Sequence, residues 1–160
     1  MNAAELQPQD QQAKRFFTLE EANQRLPLVR AIVRDIVELF TDVEQRRLRL
    51  VELFERHPPG SKRVASPYTE ELEQMQADIQ ADIERLNQFA HELEELGVEL
   101  KDPRVGLIDF PTLVDGREAY FCWKLDEPEV GFWHELTTGF QGRQPVGQLP
   151  AQPRFSPADM

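Results

Sequence analysis

Two apolar seams, one after the other, constrain this chain more than any other feature. Val29, Val33, Ile36, Phe40, Val43, Arg47, Leu50 and Phe54 alternate in spacings of four and three. Leu72, Met75, Ile79, Asp82, Leu86, Phe89, Leu93 and Leu96 repeat the rhythm in spacings of three and four. Such spacing sets each group along one side of an α-helix. The first helix is expected over about 27–56, where His57, Pro58, Pro59 and Gly60 end it. The second is expected over about 69–96, with Gly97 as its C-terminal stop. Two helices of similar length, each roughly 40–45 Å at 1.5 Å per residue, joined by a short loop, form an antiparallel, coiled-coil-like hairpin over 27–96.

Each seam has one charged member, Arg47 and Asp82. Zipping the hairpin from its loop brings the two within about one layer, which predicts a register-setting ion pair. The plainer alternative lets both side chains reach solvent at the seam edge. Off the first seam lie Leu28, Ile32, Val37, Leu39, Leu48, Val51 and Leu53. An apolar face that wide needs a partner beyond the second helix. The β-rich part of the chain is one candidate. A second copy, giving a homodimer with a four-helix arrangement, is the preferred one.

Upstream, Thr18 and Glu21 match a capping box. Pro27 removes a helical hydrogen bond and crowds the preceding turn. A short helix that breaks there, with a new one starting at Pro27, is therefore expected ahead of a kinked single helix. Downstream of Val98 the period changes. Short aromatic-rich runs at 107–110, 113–114, 118–125 and 130–136 are bounded by turn residues, as in a small antiparallel β-meander. Asp115-Gly116 suits a two-residue hairpin turn. With that turn Val114 faces Arg117 and Asp109 falls opposite Cys122, unless Pro111 introduces a bulge. Ala119, Phe121, Trp123 and Leu125 then share the core face, and Glu118, Tyr120, Cys122 and Lys124 the other. The fold class is α+β, mainly α, as a single domain over 16–143 with the β-rich segment at 98–136. The termini are expected to be disordered: 1–15 is polar, and 144–160 is a flexible proline-rich tail.

Charge and composition exclude several functions. The chain carries 18 basic and 29 acidic residues, a net charge of −11, which repels nucleic-acid backbones and anionic membranes. No run approaches the roughly 20 apolar residues of a membrane span, and the N-terminus lacks the pattern of a secretory signal. The one cysteine, Cys122, allows no intrachain disulfide and fits a reducing, cytoplasmic setting.

Two words, FFTLEEANQRLPLVR at 16–30 and GVELKDPRVGLIDFPTLVDGREAYFCWKLDEPEVGFWHELTTGFQGRQPV at 97–146, resemble the bacterial domain of unknown function 2203 family. The WKL-x-EPEVGFWHEL-type stretch at 123–136 is the most specific part. The resemblance implies a prokaryotic, single-domain, uncharacterised protein. It carries over no reaction and no catalytic residue.

For chemistry, the strongest cluster is Asp109, Cys122, His134 and Glu135. Carboxylate, thiolate and imidazole together suit zinc, iron or another divalent transition metal, and His134 titrates near neutrality. Neighbouring His134 and Glu135 would point to opposite faces of a regular strand, and no CxxC or HExxH spacing is present. The plainer readings are a strand histidine hydrogen-bonded to a carboxylate, a buried hydrophobe at Cys122 and core packing for Trp123, Phe132 and Trp133. Arg143, in a glycine-punctuated turn without the lysine of a P-loop, is a candidate to hold a carboxylate of the cluster or a bound anion. The basic hairpin tip, Arg56, His57, Lys62 and Arg63 with Tyr68, reads as a solvated loop. No cofactor is predicted beyond that metal. The preferred function is a non-enzymatic interaction or scaffold protein that dimerises through its hairpin, with a protein partner of unknown identity. The alternative is a metal-binding protein or small metalloenzyme. Enzymatic activity is left open.

Overall fold

A computed structural model describes residues 14–56 and 67–149. Two helices, α1 (Leu19–Arg56) and α2 (Pro67–Glu95), precede the strands β1 (Glu99–Asp102), β2 (Leu107–Val114), β3 (Arg117–Trp123), β4 (Phe132–Glu135) and β5 (Gln144–Pro145). The fold is α+β and mainly helical, a two-helix hairpin followed by an antiparallel sheet. The expected disordered segments and the basic tip at 57–63 fall largely outside the described residues. Among the described residues no helix is long and apolar enough to cross a membrane.

Thr18 caps α1 through reciprocal bonds. The Glu21 amide donates to Thr18 Oγ1 at 3.1 Å, and the Thr18 amide donates to Glu21 Oε1 at 3.3 Å. The expected break at Pro27 does not occur, because α1 is continuous through it. Ala22 and Leu26 before the proline, and Val29, Val33 and Ile36 after it, form one fully buried stripe, which a break would put out of line. Pro27 itself faces solvent. Asn23, the residue whose carbonyl loses its helical donor to the proline, is anchored by its side chain. Asn23 Oδ1 accepts from the Val130 amide at 2.8 Å, and Nδ2 donates to the Val130 carbonyl at 3.3 Å.

All eight members of the α2 seam are buried or half-buried. The helix ends in a Schellman motif. Gly97 adopts φ +83°, the Val98 amide donates to the Leu93 carbonyl, and the Gly97 amide donates to the Glu94 carbonyl, both at 2.9 Å. Val98 and Leu93 are both buried, which supplies the apolar contact of that motif.

Along α1 every member of the expected seam except Arg47 is buried or half-buried. Near the sheet, α1 is held between two neighbours. Farther along, Leu50 and Phe54 stay half-buried and Arg46 and Leu53 join them. Arg46, one position and about 100° from Arg47, faces α2 and pairs with Asp82, which also pairs with Arg85. Arg47 points to solvent and meets Glu44 at 3.4 Å. The register pair is thus Arg46–Asp82, not Arg47–Asp82.

The sheet is a meander in the order β1-β2-β3-β4-β5. Asp115 (φ 51°) and Gly116 (φ 76°) form the two-residue turn. The β2–β3 register is unbroken from Ile108↔Trp123 through Asp109↔Cys122 to Val114↔Arg117, so Pro111 introduces no bulge. The irregularity lies instead between Leu100 and Asp102 of β1. Ile108, Phe110, Phe121 and Trp123 face the helices and are completely buried with Phe17, Leu93 and Val130. Gly106 (φ +68°) lets the β1–β2 turn approach Val33 and Val37 of α1.

The first six residues of the flexible proline-rich tail expected over 144–160 are ordered, and the rest lie outside the described residues. Residues 144–145 form β5 beside β4, and a 3-10 turn follows at Val146–Gln148. Val146 and Leu149 pack against the core.

Candidate metal centre

The sheet has a second buried layer on the side away from the helices. Direct pairing puts Asp109 of β2 opposite Cys122 of β3, and His134 of β4 opposite Tyr120. Since Tyr120 and Cys122 are two residues apart on β3, all four side chains share a face. Asp109 and His134 reach toward each other across β3, with Cys122 between them. All three are buried: Asp109 and His134 are 3% exposed and Cys122 is 0% exposed. One ligand atom from each lies within 4.8 Å of the other two.

Donor and acceptor roles in this layer follow from the partners. His134 Nδ1 lies 2.8 Å from the Glu135 carbonyl oxygen. A carbonyl only accepts, so Nδ1 carries a hydrogen and donates. His134 Nε2 lies 3.0 Å from Asp109 Oδ2, which when ionised also only accepts. That contact is satisfied by one hydrogen shared between the two atoms, carried by the imidazole or by the carboxyl, or by a metal ion in its place. Burial lowers the His134 pKa, but the hydrogen bonds that the ring donates to Asp109 and to the Glu135 carbonyl outweigh it and hold the pKa above its ordinary value. Asp109 Oδ1 is buried and has no hydrogen-bond partner among the described residues. Burial, and then the Asp109 carboxylate, push the Cys122 thiol up to about 12. Without a metal Cys122 is thus a protonated thiol and a poor nucleophile.

These atoms open onto a recess of about 280 Å³, walled by Lys101, Leu107, Tyr120, Leu136, Gly139 and Phe140. Lys14 and Lys101 lie 5.1 and 5.4 Å from the Tyr120 ring centre. The Tyr120 ring is tilted against His134 at 5.4 Å.

The structure brings together three of the four candidate cluster residues. The Glu135 side chain is exposed, and its pairing with Ala119 puts it on the opposite face. It contributes only its backbone carbonyl, which orients the His134 ring. Arg143 does not hold a carboxylate of the cluster. Its guanidinium pairs with Glu127 and stacks on the Phe132 ring at 3.7 Å from its centre. Sequence reasoning missed Lys101 and Lys14. Glu99 pairs with Asp109, so alternation along β1 puts Lys101 on the same face as the cluster once β1 is known to lie beside β2. Lys14 comes from the segment expected to be disordered.

The family model described as Uncharacterized conserved protein (DUF2203) matches residues 15–146, a stretch that includes every residue of the recess. Comparison with curated proteins finds no match, and comparison with solved structures likewise finds none. A match over most of the chain, from the segment before the α1 cap to the end of the sheet, places this protein in the DUF2203 family.

Proposed function

We propose that this protein binds one divalent transition-metal ion through Asp109 Oδ2, Cys122 Sγ and His134 Nε2. The observation that carries the reading is the convergence of three different donor types, from three adjacent strands, at a buried point where His134 Nε2 and Asp109 Oδ2 lie 3.0 Å apart. A metal ion there takes the place of the proton that these two atoms otherwise share. A tetrahedral zinc site with bonds of about 2.0–2.3 Å has ligand atoms about 3.3–3.8 Å apart, so movements of about one ångström close this set. The backbone bond from His134 Nδ1 supplies the outer support that metal-binding histidines usually have. A nitrogen, sulfur and oxygen set favours zinc, with iron(II) as the next choice. Three protein ligands leave one position open toward the recess.

The test is metal analysis of protein purified without a histidine tag. About one zinc per chain is expected, together with a rise in melting temperature on adding zinc to metal-free protein. Both should disappear in His134→Ala. Absence of bound metal, together with no thermal shift from zinc or iron(II), refutes the reading.

A homodimer through the hairpin has separate support. Leu48 is 65% and Val51 53% exposed, and helical periodicity puts them on the side of α1 that packs on the sheet lower down. A second copy covering this stripe gives the hairpin the scaffold role expected from its patterning. Light scattering tests this reading, which predicts twice the chain mass for the native protein and a monomer for Leu48→Glu.

A further inference from the structure

We infer that the open side of the metal recess binds a short-chain monocarboxylate, its carboxylate on the metal beside Lys101 and its apolar tail against Leu107, Leu136 and Phe140. This inference rests on the metal reading above and names the ligand class of the same site.

Charge balance limits what the fourth position can take. A divalent ion held by one carboxylate, one thiolate and one neutral imidazole is electrically neutral. An anion in the fourth position leaves one negative charge at a nearly buried point, which needs a countercharge to be stable. The chain as a whole carries −11 and repels anions, yet the wall of this recess holds Lys101. The other partner of Lys101 is Glu99, 3.1 Å away and substantially exposed. A solvent-exposed pair of that kind is weak, so the ammonium is free to turn toward a bound anion. Lys14 adds positive charge beside Tyr120, donating to its hydroxyl at 3.4 Å.

The second element is the shape and chemistry of the rest of the wall. Leu107, Leu136 and Phe140 are apolar, and Leu136 and Phe140 are 48% and 44% exposed at the rim. The chain turns at Gly139 with φ +60°, where a Cβ would meet nothing within 4 Å. The backbone conformation, not crowding, therefore favours glycine there. A recess of about 280 Å³ lies at the lower end of small-molecule sites. A fully polar oxyanion such as phosphate would leave the leucines and Phe140 facing water, whereas a short acyl chain covers them.

Cobalt(II) substituted into the metal-free full chain gives two independent readouts. A near-ultraviolet thiolate-to-cobalt charge-transfer band, lost in Cys122→Ala, reports metal ligation. Titration with acetate, butyrate or inorganic phosphate, followed in the visible ligand-field bands, reports the fourth position. Butyrate should bind about tenfold more tightly than acetate, from two further buried methylenes. Lys101→Met should weaken butyrate about tenfold with the charge-transfer band intact. No charge-transfer band in the native chain overturns the metal reading and this inference with it. A band present with ligand-field spectra unmoved by tens of millimolar carboxylate overturns the inference alone. So does phosphate binding more tightly than butyrate, or an unchanged butyrate affinity in Lys101→Met.

Discussion

Loading the recess with zinc must expel protons, and the surroundings of each ligand set how many. Zinc requires Cys122 as thiolate and His134 with a bare Nε2. Burial and the Asp109 charge push the Cys122 thiol up to about 12. Forming that thiolate at neutral pH without a metal would cost on the order of 7 kcal/mol, so the proton leaves only when the ion arrives. His134 is shifted up by its bonds to Asp109 and Glu135 despite the opposing effect of burial, and it gives up a second proton wherever its ring is charged. Each expelled proton changes apparent affinity tenfold per pH unit. Zinc affinity should therefore rise about 100-fold between pH 6 and 8 if only Cys122 releases a proton, and up to about 10,000-fold if both residues do. Calorimetry in buffers of different ionisation enthalpy counts the protons directly. More than one should be released near pH 6, falling toward one in alkaline buffer. Cys122→Ala should remove one proton at every pH and weaken binding strongly, while deleting only a small buried sulfur from the fold. Zinc binding with unaltered affinity and proton count in Cys122→Ala would refute the reasoning.

Metal-free protein should show the opposite pH trend. The raised His134 pKa gives stabilisation that is complete below the unfolded value of about 6.5 and is lost as pH rises through the folded value. Its melting temperature should therefore fall from neutral to alkaline pH, and His134→Gln should flatten that slope. At the hairpin, Arg46→Ala should cost about 1 kcal/mol in urea unfolding because it leaves Asp82 half-buried beside α1, whereas Arg47→Ala should cost less than about 0.5 kcal/mol. Gly106→Ala would place a Cβ 2.7 Å from Val33 Cγ1 and 2.9 Å from Leu125 Cβ at positive φ. It should destabilise by about 2–4 kcal/mol in the same assay.

Much of the fold was legible because its signals are local. The capping box of Thr18 and Glu21 lies within one helical turn. The register that sets Asp109 opposite Cys122 follows from the two-residue turn at Asp115-Gly116 and the period of the strand. The Pro27 break failed because a local penalty of one lost hydrogen bond competes with a buried stripe on both sides of the proline, and burial wins. The pair at Asp82 is displaced by one residue because Arg46, next to the seam position and about 100° around α1, also reaches α2. The site was legible only in part. Alternation put Cys122 and Tyr120 on one face and turned Glu135 away from His134, but that Lys101 enters the recess depends on strand order, which sets β1 beside β2.

The periodicity of the chain was enough to determine two paired helices, a hairpin at residues 115–116 and the inner face of the sheet, since helix and strand repeats are properties of neighbouring residues. Only the tertiary structure decided that Asp109 and His134 meet over Cys122. Their strands are separated by another strand, and residues 25 positions apart in sequence come within 3.0 Å only after the meander has folded. The residues around 140–149 likewise join the sheet and core through contacts that no local pattern announces, and Phe140 stands in the wall of the recess.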